Sequence, residues 1–167
     1  MKFSMEKKFQ DILKSEQKKI NPITDVPEDL NLDIIRNDYT KIRLITSKNK
    51  QLGLKEWIQT NIDFVNMLFE RDRILLFKGF SCLIPKIHFS EIVTITSNGK
   101  PLNYKEPSTP RTEVTDEIYT STEYPKEQKI AQHNEHSYSD FWSKKVFFYC
   151  EKPSVSGGHT PITDSRS

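Results

Sequence analysis

This sequence is short of cysteine, of glycine, of long apolar runs and of any charge imbalance. Cys82 and Cys150 are its two cysteines. They lie far apart, each among apolar neighbours, so both are expected to be buried free thiols rather than a disulfide framework. That usage suits a reducing cytoplasm, which is the expected location. No stretch approaches the roughly 20 consecutive apolar residues of a membrane span. The start, "MKFSMEKKFQDILKSEQKK", lacks the apolar stretch of a secretory signal. The 25 basic and 23 acidic residues leave a net charge of +2. That near-balance gives no footprint for nucleic acid or an anionic membrane. Glycine occurs five times and never in a GxxxxGK[ST] pattern, so "SGGHTP" at 156–161 reads as a turn and not a phosphate loop. There is no internal repeat and no low-complexity tract.

What is present suffices for one domain with a real core: 167 residues, 29% of them charged. Phe9, Ile12 and Leu13 recur at helical spacing among lysine and glutamate, which predicts a weak, peripheral amphipathic helix within residues 1–20. Residues 21–33, "NPITDVPEDLNLD", are rich in proline and aspartate and read as an extended lead-in. Leu54, Trp57, Ile58, Phe64, Val65, Leu68 and Phe69 keep a three-to-four-residue apolar beat, which predicts a core-facing helix over about 54–70. Residues 74–77, "ILLF", stop at Gly79 after one lysine and read as a short buried strand. A helix is expected over 85–96, then a polar, proline-rich loop over 98–113. "EIYTST", "KKVFFYC" and the run after "SGG" read as strands. The first half is thus α-rich and the second β-rich, an α+β layout.

The chemistry concentrates at "AQHNEHSY", residues 131–138. Strand side chains alternate faces, so His133 and Glu135 would share one face, with Asn134 and His136 on the other. On a helix none of these pairs would stand at the i, i+3 or i, i+4 spacing that lets ligands meet. One imidazole and one carboxylate suit Fe(II), Mn or Zn better than Ca or Mg. Alone the pair is a weak signal. With four histidines and 23 acidic residues, about half a His-x-Asp/Glu match arises by chance. A surface strand with solvated polar groups explains it as well. His136 and His159 are expected to be non-ligands, and His88 a helix-surface residue. Arg111 in "STPRTEV" either anchors an anionic substrate or pairs with a loop carboxylate. Tyr119, Thr120 and Tyr124 either line a pocket mouth or simply pack.

"IYTSTEYPKEQKIAQHNEHSY", "KKVFFYCEKP" and "SGGHTPITDSR", in that order, resemble the taurine catabolism dioxygenase family, notably its clavaminate-synthase-like and syringomycin-biosynthesis-like members. Upstream, the Trp57 helix, "ILLFKGF" and "STPRTEV" follow the same order, with Lys78 where the family commonly has arginine. The resemblance covers roughly residues 54–167 and is dense from 108 onward. It implies an Fe(II)- and 2-oxoglutarate-dependent oxygenase on a double-stranded β-helix, or jelly roll. Residues 1–33 would be an N-terminal extension, and 34–167 the N-terminal portion of the oxygenase domain. His133 and Glu135 would be two of the three members of a 2-His-1-carboxylate iron triad. Thr160 would contact a 2-oxoglutarate carboxylate. A retained carboxylate implies hydroxylation or desaturation over halogenation. The substrate would be a small molecule, amino-acid-derived if it follows the family members that the motifs resemble most.

In the family, the second iron-binding histidine and the arginine that pairs with the distal 2-oxoglutarate carboxylate lie beyond the equivalent of Ser167. The expectation is therefore an incomplete barrel, inactive by itself, with unpaired strand edges that favour self-association. The alternatives are a non-catalytic remnant acting as a binding or assembly protein, or a domain completed by another chain.

Overall fold

The computed structural model describes residues 23–36, 40–99, 101, 112–115, 118–121, 130–135, 140 and 142–164. Its centre is a three-stranded sheet in the order β1 (Leu30–Arg36), β2 (Lys41–Ser47), β3 (Leu75–Lys78). β1 and β2 pair antiparallel, with Leu32 opposite Ile45. β2 and β3 pair parallel, with Ile45 opposite Phe77. A parallel pair needs a crossover, and α1 (Leu54–Thr60) and α2 (Ile62–Asp72) supply it. α2 packs on β2 and β3, and α1 packs on the later helix α3 (Pro85–Ser97).

The helix expected over 54–70 is two helices. Asn61 breaks it: its side-chain amide donates to the Trp57 carbonyl at 2.9 Å, and its backbone leaves helical geometry at φ −115°. Asparagine competes with the helix for backbone partners in this way. The apolar beat survives the break because Trp57, Ile58, Val65 and Leu68 all enter one core, with Leu30, Ile45 and Ile92. Trp57 contacts Phe64 and Phe80 at centroid distances of 6.4 and 5.6 Å. Burying Leu68 completely stabilises the fold by about 2–3 kcal/mol.

α2 ends at Arg73 (φ 63°), whose N–H donates to the Phe69 carbonyl at 2.8 Å. The last helical residue, Asp72, has a fully buried carboxylate bonded to Arg43 Nε at 2.7 Å and to Lys41 Nζ. Burial pushes this carboxyl up, but the hydrogen bonds and charges of Arg43 and Lys41 outweigh it and hold it below the usual range. β3 forms one residue later than the run expected and closes at Gly79 (φ 78°), but it is not the buried strand expected: Leu76 and Lys78 are exposed and Leu75 and Phe77 half-buried. A Cβ there would meet the Ser47 carbonyl oxygen at 3.3 Å, so glycine serves both the turn and the close approach. α3 starts with proline at its first turn and ends at Asn98 in the left-handed region, near the expected bounds. Strand β1 crosses residue 33, and its first residue, Leu30, belongs to the core.

The second half is less regular. β4 (Glu113–Thr115) and β5 (Ile118–Tyr119) form a two-stranded ladder that touches α3. β5 is the strand read in "EIYTST". Residues 130–135 and 142–164 contain no helix or strand among the described residues. The strands expected in "KKVFFYC" and after "SGG" are therefore corrected: both runs lack the cross-strand ladder that defines a strand. Cys150 is also corrected. It is exposed, and Cys82 is half-buried; both are free thiols. Burial and the nearby Glu56 charge push the Cys82 thiol up, keeping it protonated and unreactive. Among the described residues no helix is long and apolar enough to cross a membrane. The helix expected within residues 1–20 lies outside the described residues.

Candidate metal centre

His133 and Glu135 sit in the extended segment 130–135. His133 Nε2 lies 3.7 Å from Glu135 Oε1, so the i, i+2 pair does converge on one side. Nδ1 of His133 lies 2.8 Å from the Ala131 carbonyl oxygen. A carbonyl only accepts, so Nδ1 carries the proton in this contact. In the neutral ring Nε2 then holds the free lone pair, and it is the atom facing the carboxylate. A backbone carbonyl that orients a ligating imidazole in this way is a common outer contact of metal sites.

The pair fits a first-row divalent metal. Two cis donors, each about 2.1 Å from such an ion, stand about 3 Å apart. The observed 3.7 Å is within about 1 Å of that separation. Both side chains are partly solvent-exposed, at 53% and 35%, so an ion would reach them directly. Among the described residues there is no group of three or more His, Cys, Asp and Glu that could hold a metal together.

Thr160 is exposed, on a segment whose later residues lie against 130–135. Thr163 Oγ1 donates to Gln132 Oε1 at 3.0 Å. One residue earlier, the Ile162 carbonyl accepts from Thr40 Oγ1 at 2.7 Å. Thr40 is buried and immediately precedes β2. Thus the run with Thr160 and the run with His133 are tied to one another, and the first is also tied to the sheet. Thr40, Gln132 and Thr163 went unread in the sequence; no local pattern marks a threonine whose partner is 122 residues away.

Segment 142–150 docks separately. Lys145 Nζ donates to the Thr96 carbonyl at 2.5 Å, near the end of α3, and lies 4.9 Å above the Phe69 ring. Tyr149 packs on Phe89 of α3 at 5.6 Å. Of the remaining candidates, His88 is half-buried on α3 and His159 is exposed. Tyr119 and Thr120 are half-buried at the β4–β5 ladder, where Thr120 Oγ1 accepts from the Thr112 N–H. Arg111, Tyr124 and His136 lie outside the described residues.

The chain matches the taurine catabolism dioxygenase TauD, TfdA family over residues 40–167. It is similar to the dapdiamide synthesis protein DdaC of Enterobacter agglomerans, 32% identical over 124 residues, which are 74% of this chain and 36% of that protein. It is also similar to a clavaminate synthase-like protein of Arabidopsis thaliana, 32% identical over 109 residues, 65% of this chain and 32% of that protein. The chain thus spans about a third of the length of these curated relatives. No solved structure matches it significantly. His133, Glu135 and Thr160 all fall inside the matched stretch, and the chain belongs to the taurine catabolism dioxygenase family.

Proposed function

We propose that this chain contributes to an Fe(II)- and 2-oxoglutarate-dependent dioxygenase that oxidises a C–H bond of a small substrate, in the hydroxylase manner. The observation that carries the reading is the His133–Glu135 pair, with its donor atoms 3.7 Å apart and the imidazole tautomer set by Ala131. It lies within the family-matched residues. Iron with 2-oxoglutarate would supply the oxidising chemistry when bound: one oxygen atom of O₂ ends in succinate as the co-substrate loses CO₂, and the other in the hydroxylated substrate. This chain's own residues hold and orient. His133 Nε2 and Glu135 would supply two ligands, and the Glu135 charge favours a divalent cation. Thr160 would donate a hydrogen bond to a 2-oxoglutarate carboxylate, and Arg111 would attract an anionic group of the substrate. An amino-acid-derived substrate is the one suggested by the family members that this chain's motifs resemble most. The jelly-roll barrel of the family is the architecture in which these residues would work.

Titration with Co(II) as a spectroscopic stand-in for Fe(II) tests the reading. The 167-residue chain is expected to bind Co(II) in the micromolar range. His133→Ala and Glu135→Ala each should weaken binding at least tenfold without changing the unfolding midpoint. Binding that is absent, or indifferent to both substitutions, rejects the iron reading and favours a non-catalytic binding protein.

A further inference from the structure

We propose that Thr40 and Thr163 are positioning residues that hold the His133–Glu135 pair in register with the core. The proposal rests on the iron-site reading above and extends it to side chains that touch neither metal nor co-substrate.

Segment 130–135 has no cross-strand ladder, so a sheet does not fix the direction of the His133 and Glu135 side chains. One tie among the described residues is Gln132, the neighbour of His133, whose side-chain oxygen accepts from Thr163. That bond alone joins two exposed runs and orders little. It becomes a constraint because the next residue back, Ile162, is held by Thr40 at 2.7 Å. Thr40 is 8% exposed, so its hydroxyl has little water to turn to, and a buried donor left unpaired is destabilising. The bond is therefore compelled on the Thr40 side.

Thr40 is itself a fixed point. It adjoins Lys41 and lies three residues before Arg43, and both are bonded to the buried Asp72 carboxylate. β2 is also paired on both edges. A continuous series follows: α2, Asp72, the start of β2, Thr40, Ile162, Thr163, Gln132, His133. Each link is a covalent neighbour or a bond between named atoms. Ligand sites lose affinity when their supporting contacts are removed even though the ligands remain.

The test uses the 167-residue chain with Thr40→Val and Thr163→Val, which keep the β-branch and remove the hydroxyl. Thr40→Ser and Thr163→Ser keep the hydroxyl. Two readouts are taken: backbone order parameters of residues 131–135 without metal, and Co(II) affinity with its visible spectrum. In each valine variant the order parameters should fall from the rigid range near ~0.85 towards ~0.6. Co(II) affinity should weaken roughly fivefold, the size of one hydrogen bond, with altered band positions. Both serine variants should restore both readouts. Unchanged order parameters in Thr163→Val overturn the proposal, as do serine variants that behave like valine, since a lost methyl contact would then explain the effect. Thr163 is exposed, so its variants decide the matter even if Thr40→Val fails to fold. Unaltered Co(II) binding in His133→Ala would overturn the iron reading alone, leaving the order parameters to judge the two threonines.

Discussion

Among the described residues, every buried hydrophobic side chain falls between Leu30 and Val93, whereas Trp142, Val146, Phe148 and Val155 stand largely in solvent. Residues 30–97 are organised by burial. Among the described residues, the contacts that join 112–164 to them include Thr40 to Ile162, Lys145 to Thr96, Tyr149 on Phe89 and the packing of β4 on α3. The candidate iron-site residues His133, Glu135 and Thr160 lie in the second region and the stability chiefly in the first. Burial is cooperative, so damage in the first region should reach the whole molecule, and damage in the second should stay local.

The sharpest way to break that contrast is to truncate one large apolar side chain in each region. Leu68→Ala should lower the unfolding free energy by about 4 kcal/mol in urea denaturation, because Leu68 is fully buried against the sheet. Phe148→Ala should change it by less than about 0.5 kcal/mol, since 67% of that residue is already exposed. Equal losses would show that the second region has a core of its own.

Asp72→Asn should cost about 3 kcal/mol at pH 7, since it leaves Arg43 buried without its counter-charge. The pH dependence has a definite sign. The folded carboxyl lies below its unfolded value, so its contribution is complete above about pH 4 and is lost as pH falls through the folded value. The gap between the native protein and the Asp72→Asn variant should therefore narrow below about pH 4 in acid titrations followed by circular dichroism. A constant gap would assign the effect to packing.

Lys145→Met should cost about 1 kcal/mol, through the lost carbonyl and ring contacts. Faster proteolysis within residues 142–150 at an unchanged urea midpoint would mark that loss as local. The smallest effect involves no stability at all. Nitrogen NMR of neutral His133 should show the Nδ1–H tautomer, fixed by Ala131. The Nε2–H tautomer would remove the free lone pair from the atom that faces Glu135.

Legibility in the sequence divides along the same line, with one exception. α1 and α2 were legible, as one helix, because Trp57, Val65 and Leu68 repeat with the helical period, and β3 was legible as a short apolar run before Gly79. β2 was not, because the face it buries carries Arg43, Ile45 and Ser47, while Ile42 and Leu44 are only half-buried on the other. Its polar buried positions are satisfied at long range, by Asp72 for Arg43, and no local pattern reports that. "KKVFFYC" misled for the opposite reason. Exposure alternates strictly from Trp142 to Phe148, which is the strand period, yet no ladder accompanies it. Periodicity reports that a run is extended with two different faces; a hydrogen-bonded neighbour is a separate condition. At the candidate site, the two side chains expected to share a face, His133 and Glu135, stand 3.7 Å apart, although the segment is not a strand. Strand alternation could not supply Thr40 or Thr163, whose roles depend on chain segments meeting only after folding.

The parallel pairing of β2 with β3 also imposes an order of events. β1 and β2 are neighbours in the chain and can zip as a hairpin at little entropic expense. β3 cannot join them until the chain between Ser47 and Leu75 has turned back, and α1 and α2 shorten that path. The barrier to folding should therefore contain these helices largely formed, with β3 arriving late. In a rate analysis, alanine at Val65 should slow folding, while alanine at Leu76, half exposed on β3, should mainly hasten unfolding.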